Sequence, residues 1–209
     1  MEKKIMDMIN IAVLVSGRGT NLQAIINVIN RGGIDGKIRI VLSDNPEAYA
    51  LKRAQRNGIK TKVVHYKEYR SKDEYEQEIM KYIDNYRIDL IVLAGYMRIL
   101  SPNFIKKYPY RIINIHPALL PSFPGLNAQR QAIEYGVKIS GCTVHFVDEG
   151  VDSGPIILQK AVEVKDSDDE KSLSRRILKY EHRLLPRAIQ LFAQNKIQII
   201  NKTRVHIKK

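Results

Sequence analysis

Two stretches of this chain are apolar from end to end at the length of a strand: N-I-A-V-L-V-S at Asn10–Ser16 and D-L-I-V-L-A-G at Asp89–Gly95. Neither alternates with polar residues, so neither has a face to give to water. Strands of this kind belong inside a sheet covered on both sides. Around them strand and helix patterns take turns. Lys37–Ser43 and Lys60–His65 read as strands, and Leu22, Ile25, Ile26 and Ile29 fall at helical spacing with Thr20 or Asn21 as the cap. Pro46–Asn57 reads as a helix stopped by Gly58, and Ser71–Tyr86 as a helix capped by Ser71. Repeated βα units of this type predict an α/β fold: an open, mostly parallel twisted sheet with helices on both faces.

The second half continues with helices at Asn127–Tyr135 and Ser172–Gln194, strands at Ser140–Val147 and Pro155–Val164, and strand-like segments in Asn195–Ile207. A length of 209 residues suits one core better than two, so a single domain over residues 1–209 is expected. No run approaches the roughly 20 apolar residues of a membrane span. Met1-Glu2-Lys3-Lys4 leads toward a strand instead of a long apolar signal segment, which predicts a cytoplasmic protein without a membrane partner. The single cysteine, Cys142, lies in an apolar alternating run and reads as a core residue.

Thirty-five basic against 22 acidic residues give a net charge of +13, which favours phosphorylated or polycarboxylate ligands. The one dense basic cluster, Lys202–Lys209, carries no nucleic-acid module, so a basic solvated surface and no nucleic-acid partner are expected. His65, His145, His182 and His206 show no ligand spacing, and no metal is expected.

The chemistry gathers where strands are expected to end. R-I-I-N-I-H at Arg111–His116 is a buried-strand pattern interrupted by Asn114 and closed by His116, and polar groups in such a strand need a reason. Pro117, Pro121 and Pro124 then hold a rigid loop at the carboxyl end, where open α/β sheets place their ligand sites. The turn Gly17-Arg18-Gly19-Thr20-Asn21 between strand and helix reads either as a phosphate cradle or as a tight βα turn that needs glycine for geometry alone. It is not a dinucleotide fingerprint, because Leu22 stands where the third glycine belongs. Gly95-Tyr96-Met97-Arg98-Ile99-Leu100 could wall a flat heterocycle and pair a carboxylate, or pack as a hydrophobic turn. Asp148–Pro155 is an acidic loop, either a plain turn or a source of a carboxylate beside His116. His145 reads as structural.

Asn114 and His116 are two apart on a strand and so point to the same side. An amide and a protonated histidine aimed at one oxygen suit the oxyanion of a tetrahedral intermediate, and a nearby carboxylate raises the histidine pKa. No serine or cysteine nucleophile accompanies them, which points to direct transfer to an amine.

Four segments together, S-G-R-G-T-N at Ser16–Asn21, A-G-Y-M-R-I-L at Ala94–Leu100, N-I-H-P-A-L-L-P at Asn114–Pro121 and V-D-E-G-V-D-S-G-P at Val147–Pro155, resemble the phosphoribosylglycinamide formyltransferases, in order and over nearly the whole chain. The resemblance implies the formyltransferase form of a Rossmann-like sheet. It implies transfer of a formyl group from 10-formyltetrahydrofolate to the amine of glycinamide ribonucleotide in purine synthesis. A phosphate-binding half at residues 1–100 and a folate and catalytic half at 101–209 follow from it.

The residue roles also come from the resemblance. Gly19, Thr20 and Asn21 hold the ribonucleotide phosphate, and Glu181 its glycinamide side. Met97, Arg98, Ile99, Leu100, Asp148, Glu149, Gly150, Val151 and Asp152 line the pterin pocket together with Asn114, and Lys72 lies near the folate tail. Asn114 and His116 bind the oxyanion, His116 is the acid toward the departing folate nitrogen, and Asp152 raises its pKa. A cis Leu120–Pro121 bond is expected, as is a monomer or homodimer.

Asn127, Ala118 and Lys72 depart from commoner histidine, serine and arginine; at Lys72 a point charge replaces a guanidinium fork. Related folate enzymes, a formyltetrahydrofolate hydrolase and a methionyl-tRNA formyltransferase, can share the N-I-H segment but carry an extra domain in front or behind; with a first strand by about residue 10 and an end soon after the last helix, neither is expected here. A basic nucleotide- or RNA-binding module and a nicotinamide dehydrogenase with Asp44 on the ribose are the remaining alternatives.

Overall fold

The computed structural model describes residues 8–208. Met1–Lys4, read above as the approach to the first strand, and Lys209 of the basic tail lie outside the described residues. The elements run β1 (Ile9–Val15), α1 (Thr20–Asn30), β2 (Gly36–Ser43), α2 (Tyr49–Arg56), β3 (Thr61–Val63), α3 (Lys72–Asn85), β4 (Leu90–Leu93), α4 (Pro102–Lys107), β5 (Ile112–His116), α5 (Ala128–Tyr135), β6 (Ile139–Phe146), β7 (Ile156–Glu163), α6 (Glu170–Ala193), β8 (Ile197–Ile200) and β9 (Arg204–Ile207). Seven strands form one sheet in the order β3-β2-β1-β4-β5-β6-β7. The first five pair in parallel, and β6 and β7 join antiparallel. The tail segments form a separate antiparallel pair, β8 with β9.

The two uniformly apolar runs are the central strands β1 and β4, and their residues divide between two cores. Ile11, Val13, Val15, Leu90 and Val92 face one side with Leu22, Ile25 and Ile26 of α1 and Leu173, Ile177 and Leu185 of α6. Ala12, Leu14, Ile91 and Leu93 face the other with Tyr75, Ile79 and Ile83 of α3 and Phe104 of α4. Each fully buried isoleucine or leucine contributes about 1.5–3 kcal/mol of transfer free energy, which is why these strands cannot spare a polar face. No described helix is long and apolar enough to cross a membrane.

Several boundaries move. The expected third strand shortens to Thr61–Val63, and Tyr66–Glu68 turns as a 3-10 helix. Neither Thr20 nor Asn21 caps α1: Gly19 does, in the left-handed region at φ 69°, and its missing side chain matters because a Cβ there would lie 2.5 Å from that of Ala50. At the start of α6, Asp169 and Ser172 form a reciprocal capping box, and Asp168 holds Arg176 through two hydrogen bonds.

Successive strands step away from β1 on one side and from β4 on the other, so the crevice at the carboxyl ends opens between these two strands. It is tied there by Ser16, whose amide donates to the Gly95 carbonyl at 3.1 Å and whose Oγ accepts from the Met97 amide at 2.9 Å.

Candidate active site

Along β5, Ile113 and Ile115 point into the α1–α6 core, so Asn114 and His116 turn to the opposite face, which Ile112 starts. The antiparallel ladder with β6 sets His145 directly across from Asn114, and Thr143 across from His116. Thr143 works as a clasp for the proline loop: its hydroxyl donates to the Ala118 carbonyl at 2.7 Å and accepts from the Leu120 amide at 3.1 Å. Gln159 adds a bond to the Leu120 carbonyl at 2.9 Å. The Leu120–Pro121 peptide is cis.

The acidic loop delivers Asp152 to the same place, with its backbone in the left-handed region at φ 52°. Oδ2 accepts from the Gly125 amide at 2.8 Å and lies 3.1 Å from His116 Nδ1, while Oδ1 accepts from Asn114 Nδ2 at 3.3 Å and lies 3.5 Å from His145 Nε2. His116 Nε2 is 2.8 Å from the Phe123 carbonyl oxygen. Both ring nitrogens of His116 therefore face acceptors, an arrangement that only the imidazolium satisfies in full. Burial opposes it. The His116 pKa is lowered from 6.5, because desolvation outweighs the charge of Asp152 and the Phe123 bond. Within that balance Asp152 pushes the pKa upward.

His145 was expected to be structural and is instead part of this cluster. Its Nδ1 lies 2.8 Å from the Phe146 carbonyl and is a donor in either state; Nε2 accepts from Asn114 Nδ2 at 3.2 Å when the ring is neutral and points its proton toward Asp152 Oδ1 at 3.5 Å when the ring is charged. The signal in the sequence is slight: His145 stands between Val144 and Phe146 in a strand, where a polar ring needs a partner as Asn114 does. Asp152 stays charged in this company. Desolvation is the largest influence on it and raises its pKa, but His145, the Gly125 amide and His116 together carry the net shift below 3.8.

These groups form one end of a cavity of about 470 Å³. Tyr96, Met97, Arg98, Ile99 and Leu100 make one wall, and Asp148, Gly150, Val151 and Asp152 another. Met97, Ile99, Leu126 and Val151 stay exposed around it. Leu126 and Asn127 join the lining, though the sequence reading named Asn127 only as a departure and Leu126 not at all.

Arg98 lines the cavity while its Nε edge is tied inside the protein. Its Nε donates to Asp44 Oδ2 at 2.7 Å and its guanidinium lies 3.9 Å from the centre of the Tyr66 ring. Asp44 is held by this ion pair through Oδ2, which counts against its use as the ribose acid of the dehydrogenase alternative, while Oδ1 is buried without a partner. Glu149 and Lys72 are not among the cavity-lining residues: Glu149 pairs with Lys106 at 3.5 Å, and Lys72 is the first residue of α3 behind its Ser71 cap. Gly19, Thr20, Asn21 and Glu181 are also outside the lining. Asn21 and Glu181 meet each other, with Nδ2 donating to Oε2 at 2.7 Å between two buried side chains. Burial raises the Glu181 pKa, only partly offset by that bond. Asn21 Oδ1 is buried and has no hydrogen-bond partner, an acceptor held ready at the amino end of α1. Among the described residues no group of three or more histidine, cysteine or acidic side chains could hold a metal.

A mostly parallel sheet whose carboxyl edge carries an amide, two histidines and a carboxylate defines an enzyme of group-transfer chemistry at a carbonyl. The chain belongs to the formyl transferase family, whose pattern matches residues 9–189. It is 43% identical to the phosphoribosylglycinamide formyltransferase of Escherichia coli K12, over 91% of this chain and 90% of that one. It resembles the crystal structure of glycinamide ribonucleotide transformylase 1 from Symbiobacterium toebii with a TM-score of 0.95 and 49% identity, covering 97% of this chain and 95% of that chain. It is also 45% identical, over 91% of its length, to the trifunctional purine biosynthetic protein adenosine-3 of Gallus gallus, of which it spans 19%.

Proposed function

We propose that this protein transfers the formyl group of 10-formyltetrahydrofolate to the amine of 5'-phosphoribosylglycinamide, giving the formylated ribonucleotide and tetrahydrofolate in purine biosynthesis. The observation that carries the reading is the convergence of Asn114, His116, His145 and Asp152 in the lining of one cavity that Met97, Ile99, Leu100 and Val151 also line. The cavity fits the folate: Met97, Ile99, Leu100 and Val151 offer flat apolar contact, and the backbone of the two wall loops offers polar atoms for a heterocycle. The folate supplies a formyl group on a nitrogen able to leave.

The rest falls to the protein. The substrate amine bonds to the formyl carbon while the bond from that carbon to the folate nitrogen breaks. One amine proton is lost and the folate nitrogen gains one. Asn114 and His116 stabilise the charge on the formyl oxygen during this exchange. Both donors are committed within the protein, so the oxygen takes over the 3.3 Å bond from Asn114 to Asp152, and His116 Nε2 exchanges the Phe123 carbonyl for the reacting atoms while Nδ1 stays on Asp152. His116, held by Asp152, protonates the leaving nitrogen, and Asp152 passes on the proton taken from the amine.

Gly19, Thr20 and Asn21 receive the ribonucleotide phosphate at the amino end of α1, and Glu181 with Asn21 holds the glycinamide. Lys72 meets the folate tail from outside the cavity. The chain works as one unit, with a phosphate half at residues 1–100 and a folate and catalytic half at 101–209, as a monomer or homodimer.

The test is transfer by the purified chain given glycinamide ribonucleotide and 10-formyltetrahydrofolate, following both products. Equal, ribonucleotide-dependent formation of formylated ribonucleotide and tetrahydrofolate supports the reading. Release of formate without dependence on the ribonucleotide makes the protein a hydrolase instead.

A further inference from the structure

The outer faces of α1 and α6 leave a second groove, of about 740 Å³, that shares only Thr20 with the residues assigned above. Arg31, Arg53, Arg183 and Arg187 line it, with His182 among them, and no carboxylate side chain does. The arginine ion pairs among the described residues belong to Arg98, Arg130 and Arg176, so none of these four meets an acid. Asp35, bonded to the lining residue Gln190, accepts from its Nε2 at 2.8 Å. Arg183 and Arg187 are one helical turn apart on the same face, a like-charge pair that disfavours the helix when nothing neutralises it. Arg53 is set in place by bonds to the Arg18 carbonyl at 2.9 Å and to Gln23 at 3.4 Å. His182 Nε2 is buried with no hydrogen-bond partner.

The lining chooses among anions. Guanidinium forks match phosphate oxygens in pairs, and Thr20, Gln23 and Asn27 add neutral donors along the α1 wall. Ala24, Val28 and Pro186 make a small apolar floor. No phenylalanine, tyrosine or tryptophan lines the groove to stack a nucleic-acid strand, and no large apolar residue offers an anchor for a partner helix. The volume lies within the roughly 300–1,000 Å³ of small-molecule sites. We propose that the α1–α6 groove binds a small polyphosphate, either a nucleoside di- or triphosphate or inorganic pyrophosphate, at a site separate from the catalytic cavity.

The test is calorimetric titration of the full chain, without either substrate, using ATP, pyrophosphate and adenosine in turn at about 0.15 M salt. Saturable one-to-one binding of ATP is expected, with little or none of adenosine. Tighter binding of ATP than of pyrophosphate identifies a nucleotide, and equal binding identifies the phosphate chain alone. The double variant Arg183→Ala/Arg187→Ala should weaken ATP binding about ten-fold or more. Its unfolding midpoint and its formyl transfer without ATP should match the parent chain. Absence of saturable binding overturns the proposal. So does equal binding by the double variant, which would seat the nucleotide on the Gly19–Asn21 turn, and so does a single-stranded RNA that binds more tightly than ATP with the same arginine dependence. Because neither substrate is present, the result stands apart from the assignment of the transfer reaction.

Discussion

His116 Nδ1 and Asp152 Oδ2 stand 3.1 Å apart at the meeting of the central strand edge and the acidic loop, and the carboxylate reaches this point on a left-handed backbone. A residue held in that region at a cost of order 1–3 kcal/mol is kept there by its partners. Here these are the Gly125 amide, Asn114 and two histidines. The carboxylate orients the ring and favours its charged form against the pull of burial.

Removing either partner should abolish most transfer while sparing ribonucleotide binding. His116→Ala and Asp152→Asn are each expected to lower kcat by about 10²–10⁴. Calorimetry should find the affinity for the ribonucleotide within a few-fold of the parent chain. His145→Ala, which takes away the acceptor that steers Asn114, should lower kcat by a smaller factor. A variant of His116 that keeps its turnover and loses the ribonucleotide would contradict the roles proposed above.

The protonation of His116 can be read directly. Its NMR titration midpoint should fall below 6.5, because burial is the largest influence on it. In Asp152→Asn the midpoint should drop further, since the carboxylate charge pushes it upward. The sign for stability follows. A histidine whose folded pKa is lowered contributes fully above its unfolded value and loses that contribution as pH falls through 6.5 toward the folded pKa. Asp152, lowered from 3.8, loses its contribution only in the more acidic range below that value. Urea midpoints at a series of pH values should separate the two, and a midpoint for His116 above 6.5 would reverse the first assignment.

Glycine at position 19 answers two demands at once. Gly19→Ala forces a left-handed alanine and drives its Cβ to 2.5 Å from Ala50 Cβ and 2.7 Å from Ala50 Cα. The expected loss is about 2 kcal/mol or more by denaturant titration. Gly17→Ala meets nothing within 4 Å and is the matched control, expected within about 0.5 kcal/mol. Equal losses at both positions would mean that the turn is not the rigid element described.

Arg98 should matter to folding. Arg98→Ala leaves the Asp44 carboxylate, 9% exposed, without its partner and strips the cation from the face of Tyr66. Because the guanidinium is itself partly exposed, a loss of about 2 kcal/mol is expected, below the full penalty of an orphaned buried charge. A double-mutant cycle with Asp44→Asn should return a coupling of about 1 kcal/mol or more. Additive effects would count against the pairing.

Much of this architecture was legible because it rests on local chemistry. The apolar runs named β1 and β4 as interior strands, and the spacing of Asn114 and His116 named their common face. His145 was missed because its partnership depends on β6 running antiparallel beside β5, which no local pattern declares. The partner of Arg98 was not legible for a similar reason. Its commitment to Asp44 crosses from one strand end to another, 54 positions along the chain. Thr20 and Asn21 are good capping residues by type, but the close approach of Ala50 put glycine in that position. Distant contacts decided each exception.

The pairing of β6 carries a further consequence. Its ladder with β7 shifts register between Val144 and His145, whereas its ladder with β5 runs without a break from Phe146 to Thr143. The irregularity lets β6 keep step with the strand that bears Asn114 while the outer strand absorbs the misfit. A slip of one residue on the inner side would set Val144 or Phe146 against Asn114 and turn the imidazole to the opposite face. The alignment of two neighbouring strands is thus a determinant of chemistry here, and the tolerance for error has been moved outward to the sheet's edge.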